Sequence, residues 1–182
     1  MKQKLFCTLG LVISASVSLA AGPAGAATTA AGPYYANPSW DQSLPASTRF
    51  IVLSNMSNAA VLDRETGLVW EQSPSMLSVT WEGAQYNCNG LTTGGRLGWR
   101  LPTLQELASL VDPSVAPPGP TLPSGHPFSN VRQSFYWSGT SYAALAGSAW
   151  GVVFGNGSVG IVGKSDPAPA WCVRGGQAVD PQ

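Results

Sequence analysis

Three shortages narrow this 182-residue sequence before any motif is read. It has a single histidine, His126, so a Ser-His-Asp relay would need that one residue beside an activated serine and a positioning carboxylate. No Gly-x-Ser-x-Gly elbow exists to supply the serine, and no companion histidine stands at metal-ligand spacing. Charge is scarce too, at 10% of residues, with nine basic against nine acidic. No basic cluster forms a footprint for nucleic acid or an anionic membrane.

Long apolar runs are the third shortage. The one candidate is Leu5 to Ala21, preceded by Lys2 and Lys4 and followed by Ala24-Gly25-Ala26. This arrangement reads as an export signal over residues 1–26, with the mature chain starting near Ala27. A membrane anchor is the alternative, but spanning takes about 20 strongly apolar residues, and this run is shorter and diluted with Ser, Thr and Gly. Without Lys2 and Lys4 the chain keeps seven basic and nine acidic residues, a net charge of −2. Cys7 leaves with the signal, so Cys88 and Cys172 remain, 84 residues apart. In an oxidising compartment the two pair; two buried free thiols are the alternative.

Glycine and proline, at 21 and 15 residues, are plentiful and punctuate the rest. Residues 27–47 are rich in Ala, Gly and Pro and read as a flexible lead, 48–176 as one folded domain, and 177–182 as a tail. The organising stretch is Trp99 to Asp112. Thr103 and Glu106 form a capping box, with Pro102 before it, and Leu104, Leu107, Ala108 and Val111 make an apolar helical face. Pro113 predicts the helix to stop after Asp112. An earlier helix over Thr80 to Leu91 places Cys88 on its inner face. Phe50 to Leu53 reads as a strand, and two apolar runs around Asp63 to Gly67 predict a hairpin. A second hairpin turns at Gly155-Asn156-Gly157, Phe135 to Ser138 is a strand, and Ala170 to Arg174 is the last one. Residues 113–134, with six prolines, form a long loop.

Gly155, Gly157 and Gly160 spell Gly-x-Gly-x-x-Gly, but between two strands rather than before a helix, so hairpin geometry explains them and no dinucleotide is expected. The seven tryptophans are read mainly as core filling, with Trp150 or Trp40 the exposed ones. Arg100 points away from the face shared by Trp99 and Leu101, which predicts a structural ion pair with Glu106 or Glu82.

Five segments occur in a recognisable order: Asp63 to Trp70, Trp81-Glu82-Gly83-Ala84 with Cys88, Trp99 to Thr103 with Glu106, Tyr136 to Thr140, and Cys172 to Gly175. Over about residues 50–176 this resembles the bacterial domain of unknown function 1566, also known as the C-terminal domain of the Legionella collagen-like adhesin. In that pattern Trp99, Arg100, Leu101, Pro102, Thr103, Glu106 and Trp137 are structural. The resemblance implies an α+β, C-type-lectin-like fold: two short helices packed on small antiparallel sheets, with long loops. It also implies a disulfide from the first helix to the last strand, where Cys88 and Cys172 lie.

The same fold class includes formylglycine-generating enzymes, which hold copper with a close C-terminal cysteine pair; here only Cys172 is present. Its sugar-binding lectins hold calcium through Glu-Pro-Asn or Gln-Pro-Asp and Trp-Asn-Asp, none of which occurs. The expectation is therefore an exported, non-enzymatic module, without cofactor or metal, binding surface glycans or proteins. A structural envelope component with no ligand is the alternative, and an oxidase is third. Tyr142, Trp150 and His126 are the candidate binding residues; loops 113–134 and 141–148 hold His126 and Tyr142, and Trp150 starts the strand-like run after the second. Its location is the periplasm, the cell surface or the medium.

Overall fold

A computed structural model describes residues 44–176. The expected export signal, most of the lead, Trp40 and the tail lie outside the described residues. Of the lead, residues 44–47 are inside them, and Ala46 is already buried in the core. The fold is α+β, with three short helices and small antiparallel sheets among the described residues.

In chain order, helix α1 (Ala46–Arg49) runs into strand β1 (Phe50–Val52), followed by β2 (Ala60–Asp63) and β3 (Val69–Glu71). The β2–β3 hairpin turns where expected. Asp63 O accepts from Gly67 N at 2.8 Å, and Gly67 takes φ 71°, which a side chain would oppose. Strand β4 (Ser78–Val79) leads to helix α2 (Trp81–Asn89), capped by Thr80, whose side chain accepts from Gly83 N. Then come β5 (Trp99–Arg100) and helix α3 (Leu104–Ala108). The chain ends with β6 (Phe135–Ser141), β7 (Ser148–Val153), β8 (Ser158–Gly163), β9 (Ala168–Pro169) and β10 (Val173–Arg174).

Three sheets result, ordered β1-β2-β3-β10-β5, β4-β9 and β6-β7-β8. Of the last strand expected over Ala170 to Arg174 only Val173–Arg174 is strand, because the chain from Ala168 onward changes sheets as it runs. Ala168–Pro169 pairs with β4, Ala170 bridges Trp137, and Val173–Arg174 inserts between β3 and β5. Trp171, between them, is fully buried. Its ring meets Phe128, Phe154, Trp70 and Tyr136 at centroid distances of 4.9 to 6.1 Å. Cys172 is bonded to Cys88 of α2, with the sulfurs 2.07 Å apart. Closing that 84-residue span stabilises by roughly 4 kcal/mol on the chain-entropy model.

Helix α3 has its capping box: Thr103 Oγ1 accepts from Glu106 N, and Glu106 Oε2 from Thr103 N. It ends at Ala108, not Asp112 as the sequence predicts. Leu110 N and Val111 N turn back to Leu107 O and Ala108 O in tighter i→i−3 bonds. Continuation would also need an N–H at position 113 for Ser109 O, and Pro113 has none. The carbonyl is bonded instead by Arg49 Nη2 at 2.9 Å.

Arg49 is buried, with Asp63 and Glu65. Its Nε and Nη2 donate to Asp63 Oδ1 and Oδ2 at 2.9 and 2.7 Å, and Glu65 Oε2 lies 3.2 Å from Nε. One guanidinium thus joins the start of β1, the β2–β3 turn and the end of α3. Arg49→Ala would leave two buried carboxylates without their cation. It is expected to destabilise the protein by about 3–5 kcal/mol, read by denaturant unfolding.

Candidate functional site

The residues of the Trp99–Thr103 motif build scaffold. Trp99 is buried and donates its Nε1 to Arg96 O at 3.0 Å. Arg100 forms a two-pronged pair with Glu106, both bonds at 2.7 Å, and also donates to Leu101 O and Gly175 O. Glu82 takes no part in that pair; among the two expected partners Glu106 is the one bonded. Leu101 is buried, Pro102 O accepts from Gly139 N, and buried Trp137 donates its Nε1 to Val79 O at 3.0 Å.

Two of the three expected binding residues come together. Tyr142 and Trp150 are half-buried and meet edge to face, with centroids 5.2 Å apart. Tyr142 opens the β6–β7 turn and donates its N–H to Ser148 O, while Leu145 at the tip is 58% exposed. Trp150 lies opposite Ile161 of β8, which is also exposed. The turn is braced from below: Lys164 Nζ donates to Ser141 Oγ and lies 4.2 Å from the centroid of the Trp81 ring. The outcome is an aromatic and apolar strip held on the three-stranded sheet, whose β6–β7 register shifts between Trp137 and Ser141.

His126 packs elsewhere. It stacks on Phe128 at 5.9 Å, its Nδ1 accepts from Phe128 N, and burial lowers its pKa. It is part of the wall around Phe128 and makes no contact with the Tyr142–Trp150 pair. Loop 113–134 has no helix or strand, as expected, but it is anchored along its length. Thr121, Leu122 and Phe128 are buried, Thr121 N bonds Phe154 O, and Ser129 N bonds Gln72 O. Cutting it away would open the core, so this loop is part of the packed body.

A feature that sequence reasoning missed lies on the other side of β3. Glu71 is 8% exposed and lines a cavity of about 390 Å³ beside the Cys88–Cys172 bond. Its Oε2 accepts from Cys172 N at 3.0 Å. Burial raises its pKa to about 7, only partly offset by that hydrogen bond. The available signal was period-two alternation: Trp70 points into the main core, so Glu71 must point to the opposite, α2 side. Among the described residues no group of three or more His, Cys, Asp or Glu is arranged to hold a metal ion.

The model of the Lcl C-terminal domain family matches residues 59–174. The chain belongs to that family. No curated protein matches it. The matched span of this Lcl C-terminal domain runs from just before β2 to the end of β10. It takes in both ends of the disulfide, the Arg100–Glu106 pair and the Tyr142–Trp150 strip.

Arg100→Ala would strand the buried Glu106 carboxylate and is expected to cost roughly 2–3 kcal/mol, seen as a lower melting temperature. Glu71 gives a pH signature of the opposite kind to that of a paired carboxylate. Its folded pKa, about 7, lies above the ordinary 4.5, so its contribution to stability is present at low pH and is lost as pH rises between those values. Relative to wild type, Glu71→Gln should gain up to roughly 3 kcal/mol between pH 4.5 and pH 8, measured by chemical unfolding at both.

Proposed function

We propose that this Lcl C-terminal domain protein is an exported, adhesin-like recognition module that binds surface glycans or proteins without catalysis. The observation that carries the reading is the Tyr142–Trp150 ring pair. Two half-exposed aromatic side chains on a rigid sheet, beside exposed Leu145 and Ile161, offer a preformed apolar contact for a sugar face or a protein side chain. Membership of the Lcl C-terminal domain family supports an adhesin-type role, and the α+β arrangement is consistent with the C-type-lectin-like relation. The Cys88–Cys172 bond supports export to an oxidising compartment. It also occupies the C-terminal cysteine that a copper oxidase of this fold class would use. Among the described residues no helix is long and apolar enough to cross a membrane.

The test is a glycan and extracellular-matrix array probed with the protein, with and without chelator. Saturable, chelator-insensitive capture is expected, weakened at least tenfold by Tyr142→Ala at an unchanged melting temperature. Silence of the wild-type protein on every surface would overturn the proposal and leave a structural envelope component.

A further inference from the structure

We propose that the cavity beside the Cys88–Cys172 bond is a binding site for a primary alkylammonium group, free or carried on a lysine side chain, with Glu71 as its counter-ion. This site is separate from the Tyr142–Trp150 strip and does not rest on that strip binding anything.

Among the described residues the other buried carboxylates have cations. Asp63 and Glu65 share Arg49, and Glu106 holds Arg100. Glu71 is the exception: more than nine-tenths buried, it forms no ion pair with any described residue. One of its oxygens takes Cys172 N, and the other, Oε1, receives no hydrogen bond from the described residues. The ionised carboxylate thus has one backbone N–H and the open cavity before it, and no cation among the described residues. An anion would be repelled, and a hard divalent cation would need several more oxygen ligands than one carboxylate supplies. No aromatic ring lines the cavity, so a sugar ring would have nothing to stack on.

An alkylammonium meets each condition. Its charge answers Glu71, and its methylene stem matches the apolar walls formed by Leu77, Val79, Leu91 and Ala170. The Asn87 and Thr92 side chains complete the lining, and neither is engaged in a side-chain hydrogen bond with a described residue, so both are available to the remaining ammonium protons. A volume of about 390 Å³ takes one side chain of this kind and is open to solvent, not sealed.

Glu71 is also the titratable group in the lining. Helix α2 contributes Asn87 to it and the segment after β3 contributes Ser75 and Leu77; Cys172 lines it but is bonded to Cys88 and does not titrate. With a carboxyl pKa of about 7, the amine must displace a proton at lower pH, so affinity rises with pH through neutrality.

The experiment is an amide NMR titration of the full chain at pH 8 and pH 6, read at the Cys172 N–H that Glu71 accepts. The probes are n-butylammonium chloride, Nα-acetyl-lysine methylamide and, as the uncharged match, Nα-acetyl-norleucine methylamide. A saturable shift is expected with the amines and not with the norleucine compound, about tenfold weaker at pH 6 than at pH 8. Glu71→Gln should weaken binding at least tenfold. Ser75→Trp, at an exposed position on the rim, should block entry without touching the core. Binding of butylammonium alone would assign the site to free amines, and binding of both would extend it to protein-borne lysine. No shift with either amine, an equal response to the norleucine compound, or full binding by Glu71→Gln would overturn the proposal.

Discussion

The segment from Ala168 to Arg174 holds the rest together. In seven residues it pairs with β4, bridges β6 at Trp137, and fills the gap between β3 and β5. Among the described residues no other stretch pairs with all three sheets. Its side chains do the same work at right angles to its hydrogen bonds: Trp171 centres the larger core and Cys172 fixes helix α2. The Trp171 Nε1 bond to Glu71 O, at 2.9 Å, keeps a large ring buried without leaving its polar atom unpaired. Because these contacts reach across about a hundred residues of sequence, making them carries a loop-closure cost that a local hairpin does not.

Around that spine, buried charge is handled in two ways. Arg49 joins two carboxylates and the Ser109 carbonyl, and Arg100 joins Glu106 to the distant Gly175 carbonyl, so their removal is felt as lost connection between elements. Such pairs add little net stability compared with apolar packing, but they fix which surfaces meet. Glu71 has no such cation: burial raises its pKa, and the one backbone N–H it accepts offsets that only in part. A chain with few charges that leaves one of them in this state has kept a cost that packing alone does not explain.

Much of the local structure was legible. The hairpin at Gly67, the Thr80 and Thr103 caps and the Arg100–Glu106 pair depend on residues within about six positions of one another, so spacing exposes them. Pairing of Cys88 with Cys172 was legible because the expected loss of the signal would leave those two cysteines, and the bond is there. The end of α3 was misread because Pro113 hides its effect. It withdraws a donor from Ser109 O, and the replacement donor, Arg49, comes from 60 residues away. Loop 113–134 looked like display because prolines mark irregular backbone, whereas burial of Leu122 and Phe128 depends on the core they face.

The candidate sites divide along the same line. Sequence named Tyr142 and Trp150 separately, as aromatic residues in or next to a loop; the β6–β7 turn brought the rings together. It named His126 as well, and packing against Phe128 took that residue into the wall. For Glu71 the sequence offered only alternation from Trp70, which gives a direction but not burial, since one carboxylate at a strand end is ordinary. Local chemistry, meaning caps, turns, alternation and the cysteine count, was determined by the order of residues alone. Which polar groups lost water, and which found partners, was decided by the tertiary structure, because desolvation depends on everything that packs around a group.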